Sequence, residues 1–359
     1  MVRIELVDVY KAYHGGKVVA ANVPYLKIED GEFFGLLGPS GSGKTTTLRI
    51  IAGLTEPDKG RVLFDGEDVT RVPPEKRNLG MVFQSWALFP HLTVFENIAF
   101  GLRLRKLPES EISRRVKWAS ELLRIEELLY RYPYQLSGGQ QQRVAVARAI
   151  VIEPRALLFD EPLSNLDAKL RDQVRFELRK LQRELKITSI YVTHDQAEAF
   201  VLCDRVAVMN KGSIEQLGKP EEIYNSPATP FVAEFMGVTT LIPATVSRVA
   251  DYNLGLAVVK LEDTDIELVA RTNLEKVSSG SKVLLVVRPE SLKLASPSDK
   301  TNVLRARVVT ASYLGDHMEY LLLIDNYTVR MRTSIDTQIQ SNSEVYIKIE
   351  ENNLYAIPI

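Results

Sequence analysis

The sequence predicts an α/β domain with a largely parallel sheet, followed by a small all-β barrel. In the first part of the chain, apolar runs of strand length alternate with helical patterns, which is the arrangement of strands and crossover helices in a parallel sheet. After about residue 239, short β-type runs are separated by Asp, Asn, Gly, Ser and Pro, as in a small barrel. We therefore predict two domains, 1–238 and 239–359.

The composition is that of a globular protein with no general affinity for nucleic acid. The 359 residues are 45% hydrophobic and 25% charged, and the formal net charge is −1. No apolar stretch approaches the roughly 18 residues that a membrane helix requires, and the segment Met1 to Asp8 carries charges where a leader would be apolar. Cys203 is the only cysteine, which excludes an internal disulfide. We expect a soluble intracellular chain.

The first β-type segments lead to a glycine-rich loop. Val2 to Val9 and Val18 to Ile28 have strand patterns, and a turn at 29–31 precedes the core strand Phe33 to Leu37. The loop itself reads Gly38-Pro39-Ser40-Gly41-Ser42-Gly43-Lys44-Thr45-Thr46 and fits the pattern G-x-x-x-x-G-K-[ST]. A helical pattern follows directly, so the loop lies between a strand and a helix.

This context predicts a phosphate-binding loop. Glycines let backbone N–H groups turn inward around an anion, and the helix that begins near Lys44 adds its positive end. The Lys44 ammonium can lie against the β- and γ-phosphates of a nucleotide, and Thr45 can offer its hydroxyl to Mg²⁺. The alternative is a glycine-rich surface turn, but chance would produce this pattern only about once in a hundred chains of this length.

The middle of the first domain is predicted to be a helical insertion at about 86–152. Ile112, Val116 and Ala119 have the spacing of one apolar helix face. Inside the insertion, Leu136-Ser137-Gly138-Gly139-Gln140 forms a second glycine-rich anion nest in front of a helix. Two phosphate cradles with one set of carboxylates are explained by a head-to-tail pair of chains.

Several polar side chains follow strands of the same predicted sheet. The apolar strand Ala156 to Phe159 runs into Asp160, which can hold Mg²⁺, and Glu161, which can polarise a water molecule. Gln84 and His194 also end strands, so both could face the γ-phosphate at the carboxyl edge of the sheet. The alternatives are an acidic turn and ordinary polar residues at strand ends.

In this order, the motifs resemble those of the ATPase subunits of ATP-binding cassette (ABC) importers, the group that includes the maltose and multiple-sugar ATPases. The resemblance covers residues 1 to about 238 and implies a P-loop NTPase (RecA-like) cassette that hydrolyses ATP with Mg²⁺. The matching segments are the Walker A motif at 38–46, the signature at 136–140, the Walker B motif at 156–162 and the D-loop, Ser164 to Asp167.

The family's site residues carry over position by position. The resemblance implies that Tyr13 stacks on adenine, that Gln84 is the Q-loop glutamine near Mg²⁺ and the γ-phosphate, and that His194 is the switch histidine. It also implies that a set of signature and D-loop residues contacts the nucleotide held by a second subunit. That set is Ser137, Gly138, Gly139, Gln140 and Asp167.

The second domain resembles the regulatory OB-like (TOBE-type) barrel of sugar, polyamine, iron and sulfate importer ATPases, with Val287-Arg288-Pro289-Glu290 as the matching motif. The resemblance implies a partner that is a second copy or a paralogous ATPase subunit, two transmembrane permease subunits and, indirectly, an extracytoplasmic solute-binding protein. The chain would then lie at the cytoplasmic face of the cell membrane. No nucleic acid partner is expected, since Leu241 to Ile359 carries 13 Lys and Arg against 15 Asp and Glu.

The sequence leaves alternatives open both for the transported cargo and for the class of protein. The stretch at 164–171 resembles sugar importers, whereas the stretches at 135–143 and 313–316 resemble polyamine or iron importers as much. Sugar is the preferred expectation, and a polyamine, iron or other anion importer is the alternative. A soluble non-transport ABC ATPase would share the motifs, but such proteins normally carry long coiled-coil insertions or two cassettes.

Overall fold

The computed structural model describes residues 2–299 and 301–359. It divides into two compact units, Met1–Pro220 and Glu221–Ile359. Within the described residues, no helix is both long and apolar enough to cross a membrane.

The first unit is built on a ten-stranded sheet. Its strands in chain order are β1 (Ile4–Tyr13), β2 (Val18–Ile28), β3 (Phe33–Leu37), β4 (Lys59–Phe64), β5 (Glu67–Asp68), β6 (Leu79–Val82), β7 (Ala156–Asp160), β8 (Thr188–Thr193), β9 (Arg205–Asn210) and β10 (Ser213–Gly218). Their spatial order is β5-β4-β1-β2-β10-β9-β3-β8-β7-β6. The block β9-β3-β8-β7-β6 is parallel throughout, and the strands β1, β2, β4 and β5 pair antiparallel.

Six helices accompany this sheet in the described residues. They are α1 (Lys44–Ala52), α2 (Val94–Leu104), α3 (Glu109–Leu123), α4 (Gly138–Ile150), α5 (Ala168–Leu185) and α6 (Gln196–Leu202). The helices α2, α3 and α4 pack on one another in the predicted insertion. Every residue of β3, β7 and β8 is buried, as expected for parallel strands that are covered on both faces.

The second unit has a barrel and an open sheet. The helices α7 (Pro220–Asn225) and α8 (Pro230–Phe235) come first, and the strands are β11 (Thr240–Asp251), β12 (Leu256–Leu261), β13 (Glu267–Thr272), β14 (Lys282–Val287), β15 (Leu292–Leu294), β16 (Val303–Tyr313), β17 (Met318–Ile324), β18 (Tyr327–Thr333), β19 (Glu344–Ile349) and β20 (Tyr355–Pro358). A closed barrel has the order β11-β12-β13-β20-β14, and a five-stranded sheet has the order β15-β19-β16-β17-β18. Side chains from both form one apolar core. The predicted fold class is confirmed, with a sheet added to the expected barrel.

The boundary between the units falls between residues 220 and 221. The sequence analysis places it later in the chain, between residues 238 and 239. Ala233 of α8 forms an apolar cluster with Val286 and Ile357 of the barrel. The Arg288 guanidinium lies 3.6 Å from the ring centroid of Tyr224 and donates a 2.9 Å hydrogen bond to the Tyr224 carbonyl. These contacts attach the short helices to the C-terminal unit. The change to short β-type runs at about residue 239, from which the boundary is predicted, gives no information about such contacts.

Arg77 joins the end of α1 to the loop that follows β5. It is 3% exposed, and burial lowers the pKa of its guanidinium. The guanidinium donates to the carbonyls of Val72 at 2.8 Å, Thr70 at 2.9 Å, Ile50 at 2.9 Å and Ile51 at 2.8 Å. Since the last carbonyls of a helix have no partner inside the helix, Arg77 supplies donors that α1 lacks.

We predict that Arg77→Ala destabilises the N-terminal unit by about 3–5 kcal/mol, because buried carbonyls lose their donors. Both tryptophans, Trp86 and Trp118, lie in this unit, so tryptophan fluorescence during urea unfolding reports its stability. The exposed neighbour Arg71 provides the control, and Arg71→Ala should stay within about 0.5 kcal/mol of the parent. Equal effects of the two substitutions would contradict the role given to Arg77.

Candidate active site

The loop between β3 and α1 forms a cradle that only glycine permits. Gly41 and Gly43 are left-handed, with φ of 77° and 103°. A Cβ on Gly43 would lie 2.2 Å from the Ala20 carbonyl oxygen, and one on Gly38 would lie 2.4 Å from that of Met209. Gly43 is the N-cap of α1, where no described side chain caps the helix and the first turn has no acidic residue. The N-terminal N–H groups of α1 are therefore suited to an anion.

Polar atoms in the cradle fit a nucleotide phosphate. The buried Ser42 hydroxyl has no hydrogen-bond partner among the described residues. The buried Lys44 ammonium donates to the Gly38 carbonyl at 2.8 Å and the Pro39 carbonyl at 2.9 Å. Burial lowers the pKa of Lys44, and the charges of Glu161 and Asp160 act in the opposite direction. A phosphate would supply a negative partner for this ammonium and an acceptor for the hydroxyl.

Two oxygen ligands suited to Mg²⁺ lie beside the cradle. The Thr45 hydroxyl donates to a carboxylate oxygen of Asp160 at 2.9 Å. Burial raises the pKa of Asp160, and the hydrogen bond from Thr45 opposes that shift. No group of three or more His, Cys, Asp or Glu in the described part of the chain could hold a metal. The pair fits Mg²⁺, which commonly takes one or two protein ligands together with phosphate oxygens and water.

Glu161 follows β7 in a left-handed conformation. Its φ is 46°, and its N–H donates to the Val192 carbonyl at 3.1 Å. One carboxylate oxygen lies 3.2 Å from His194 Nδ1, and the side chains are 20% and 55% exposed, respectively. Backbone strain of this kind costs about 1–3 kcal/mol and persists where surrounding contacts demand it. The structure thus places five of the candidate site residues at one edge of the sheet: Lys44, Thr45, Asp160, Glu161 and His194.

A buried carboxylate supports the strand end that precedes His194. Glu198 accepts hydrogen bonds from the Tyr191 hydroxyl at 2.9 Å and the Thr193 hydroxyl at 2.6 Å, and Thr193 Oγ1 also accepts from the Asp195 N–H at 2.9 Å. Burial raises the pKa of Glu198. Sequence reasoning missed this group. Tyr191 and Thr193 share one face of β8, because side chains alternate along a strand. This alternation is the sequence pattern that indicates a shared partner for the two hydroxyls.

The signature segment begins α4. The Ser137 hydroxyl accepts from the Gln140 N–H at 3.4 Å, and the Gln140 side chain accepts from the Ser137 N–H at 2.9 Å, which together form a capping box. A Cβ on Gly138 would lie 3.1 Å from Leu166, and one on Gly139 would lie 3.0 Å from Leu170. The signature therefore packs against the D-loop and α5 of its own chain, while Ser137 is exposed.

The Q-loop and the D-loop are joined by a hydrogen bond. The Asn165 side-chain amide donates to the Gln84 carbonyl at 2.9 Å. Asp167 caps α5, and its carboxylate accepts from the Leu170 N–H at 3.0 Å. Within the described residues, no hydrogen bond or ion pair joins Gln84 to Asp160 or to Thr45. The roles of Gln84 and Asp167 toward metal and nucleotide stay predictions.

Tyr13 ends β1 with a ring that is available for stacking. The residue is 39% exposed, and the Lys11 ammonium lies 5.7 Å from the ring centroid. An exposed aromatic ring can stack on a base, so the position fits the predicted adenine contact.

Comparisons with known proteins identify the family of this chain. The family described as ABC transporter matches residues 22–164, and the TOBE domain family matches residues 285–356. The spermidine/putrescine import ATP-binding protein PotA of Acidothermus cellulolyticus is 50% identical over 323 residues, which are 89% of this chain and 83% of that protein. The trehalose/maltose import ATP-binding protein MalK of Thermococcus litoralis is 43% identical over 99% of this chain and 97% of its own length.

Solved structures match the cassette. A protein of Clostridium perfringens that is part of the ABC transporter complex cbiONQ has a TM-score of 0.57 and 34% identity, over 62% of this chain and 90% of that one. A dimeric ATP-binding cassette in a post-hydrolysis state with ADP and Pi has a TM-score of 0.54 and 34% identity, over 60% of this chain and 98% of that one. The fold, the site and these relatives show that the chain belongs to the ATPase subunits of ABC importers. The predictions of the family and of ATPase activity are confirmed.

We predict that Glu161→Gln retains ATP binding and lowers kcat by about 100-fold or more, because an amide cannot accept a proton from water as a carboxylate does. Phosphate release measures turnover, and a fluorescent ATP analogue measures binding separately. The matched control is Glu127→Gln at an exposed position far along the chain from the carboxylate pair. Substantial turnover by Glu161→Gln would remove Glu161 from the role of base.

Proposed function

We propose that this chain powers the uptake of a polyamine, as the ATP-hydrolysing subunit of an importer at the cytoplasmic face of the cell membrane. The observation that supports a polyamine as the cargo is similarity to spermidine/putrescine import ATP-binding proteins, at 50% identity in Acidothermus cellulolyticus and 47% in Thermobifida fusca. These relatives favour the polyamine alternative over the sugar that the sequence analysis preferred.

Sugar uptake is the second candidate. The Thermococcus litoralis trehalose/maltose protein aligns with 99% of this chain, so the similarity extends through the C-terminal unit. Its identity of 43% is lower than the 50% of the Acidothermus cellulolyticus protein. The site chemistry would be the same for both cargoes, because the ATPase residues act on the nucleotide.

The geometry supports a division of roles at the nucleotide. The cradle N–H groups and the Lys44 ammonium would bind the phosphates, while Thr45 and Asp160 would hold Mg²⁺. Bound there, Mg²⁺ would neutralise charge on the phosphoryl oxygens. Glu161 would polarise the attacking water and accept its proton, and His194 lies close enough to hold the Glu161 carboxylate. Such fixed charges supply most of the catalysis in phosphoryl transfer.

A second subunit would complete the site. The exposed Ser137 lies at the N-terminus of α4, and the adjoining glycines pack on the D-loop and α5 of their own chain. A head-to-tail partner, a second copy or a paralogous subunit, would place its Ser137 over the γ-phosphate of this chain and bury two ATP molecules. Closing the pair would couple hydrolysis to a large movement.

The loop after β6 is the proposed contact for the two permease subunits. Phe83 and Phe100 are exposed, and the Phe89 and Phe100 ring centroids are 4.6 Å apart. An apolar surface next to Gln84 would accept a short cytoplasmic helix of a permease. The solute-binding protein would act from the other side of the membrane. The C-terminal unit would be regulatory.

The shared site predicts complementation between inactive variants. Lys44→Ala and Ser137→Arg should each be inactive alone, since every composite site lacks one part. A mixture should regain partial ATPase activity, because a heterodimer contains one intact site. The Lys44→Ala variant mixed with itself at the same total concentration is the control. Normal hydrolysis by either variant alone would contradict the shared site.

The cargo is tested by uptake. Deleting the gene in its own organism should abolish uptake of labelled spermidine and leave that of labelled trehalose unchanged. Restoring the parent gene should recover uptake, whereas the Glu161→Gln gene should not. Loss of trehalose uptake instead would establish the second candidate, and no change in either would refute both cargoes.

A further inference from the structure

The loop that follows β6 contains two successive left-handed residues, neither of which is glycine. Trp86 has a φ of 58° and Ala87 a φ of 49°. A side chain makes this conformation unfavourable, so two in succession persist only where other contacts hold them. Trp86 also donates its backbone N–H to the Phe83 carbonyl at 2.9 Å, which closes the turn.

Arg148 supplies the contacts that hold this turn. Its Nη2 donates to the Trp86 carbonyl and its Nη1 to the Ala87 carbonyl, both at 2.7 Å. Its guanidinium also lies 5.8 Å from the Phe89 ring centroid. Burial lowers the pKa of Arg148, and no carboxylate in the described residues forms an ion pair with it. The planar guanidinium therefore bonds the two adjacent carbonyls through two nitrogens at a fixed separation, whereas the ammonium of a lysine would offer a single nitrogen on a flexible stem.

The same turn contacts three parts of the catalytic cassette. The Trp86 indole N–H donates to the Pro162 carbonyl at 3.4 Å, and Pro162 follows Glu161 directly. A Cβ on Gly138 would lie 3.3 Å from the Trp86 ring, so the indole also abuts the signature. The Gln84 carbonyl accepts from Asn165 of the D-loop. Arg148 itself lies in α4, which begins at the signature.

We propose that Arg148 is a positioning residue for ATP hydrolysis, which holds Trp86 and Ala87 in their left-handed turn and so sets Gln84 and the Glu161–Pro162 segment relative to the signature helix. It touches no reacting group. A shift of α4 would be transmitted to the turn through the two hydrogen bonds. The kinetic consequences rest on the proposed roles of Gln84 and Glu161, whereas the effect on the turn does not.

The test places Arg148→Lys in a Trp118→Phe background, where Trp86 is the only tryptophan. Trp86 emission should shift to longer wavelength, and acrylamide should quench it more strongly, because the single nitrogen of lysine does not fix the two carbonyls at the separation that the guanidinium sets. The kcat should fall about ten-fold or more while the KM for ATP changes less than about two-fold, since the residue acts on positioning and not on binding. Arg143→Lys on the same helix is the matched control, since Arg143 pairs with Glu177 and does not contact the turn.

A rescue separates this role from a general contribution to folding. Glycine adopts the left-handed conformation without strain. Adding Ala87→Gly to Arg148→Lys should therefore restore Trp86 emission and at least part of kcat. If Arg148→Lys alone is too unstable to purify, the double variant should fold, and failure of both would overturn the proposal. So would a Trp86 spectrum and kcat equal to those of Arg143→Lys. Altered Trp86 emission with an unchanged kcat would also overturn the proposal for Arg148. If Glu161→Gln is inactive in the same assay, that result would leave the proposed role of Glu161 in place.

Discussion

The parallel pairing of β3, β8 and β7 is the constraint on which the active site depends. Leu37 lies opposite Thr193, and Val192 lies opposite Asp160. Because the three strands end at the same edge in this register, the cradle, His194 and the carboxylate pair follow one another across that edge. A shift of register along any of these strands would separate the Thr45 hydroxyl from Asp160 or His194 from Glu161. The complete burial of the strands makes such a shift costly.

Three cations of the cassette donate to backbone carbonyls; Lys44 and Arg77 are buried, and Arg148 is half-buried. Lys44, Arg77 and Arg148 each donate to two or more carbonyls, and for each of them burial lowers the pKa. Carbonyl partners stabilise a buried cation without neutralising it. At Lys44 this leaves a positive charge for phosphate. At Arg77 and Arg148 it holds segments that side-chain packing alone would not fix.

The C-terminal unit is organised by different interactions. Its barrel and sheet share one apolar core, and the buried residues alternate along β16 and β17 as expected for strands with one buried face. Arg288 connects the barrel to Tyr224 by stacking and a hydrogen bond. The candidate nucleotide-site residues lie in the other unit.

The sequence by itself determined the cradle, the carboxylate pair and the signature, because each is a contiguous peptide whose residue types and spacing already specify its backbone geometry. The succession of strand and helix patterns likewise determined the fold class. Only the tertiary structure decided that Glu198 supports the end of β8, that the short helices α7 and α8 join the barrel, and that Arg148 reaches Ala87, which lies 61 positions earlier. These contacts depend on which distant segments meet when the apolar faces are buried, and no local pattern encodes that meeting.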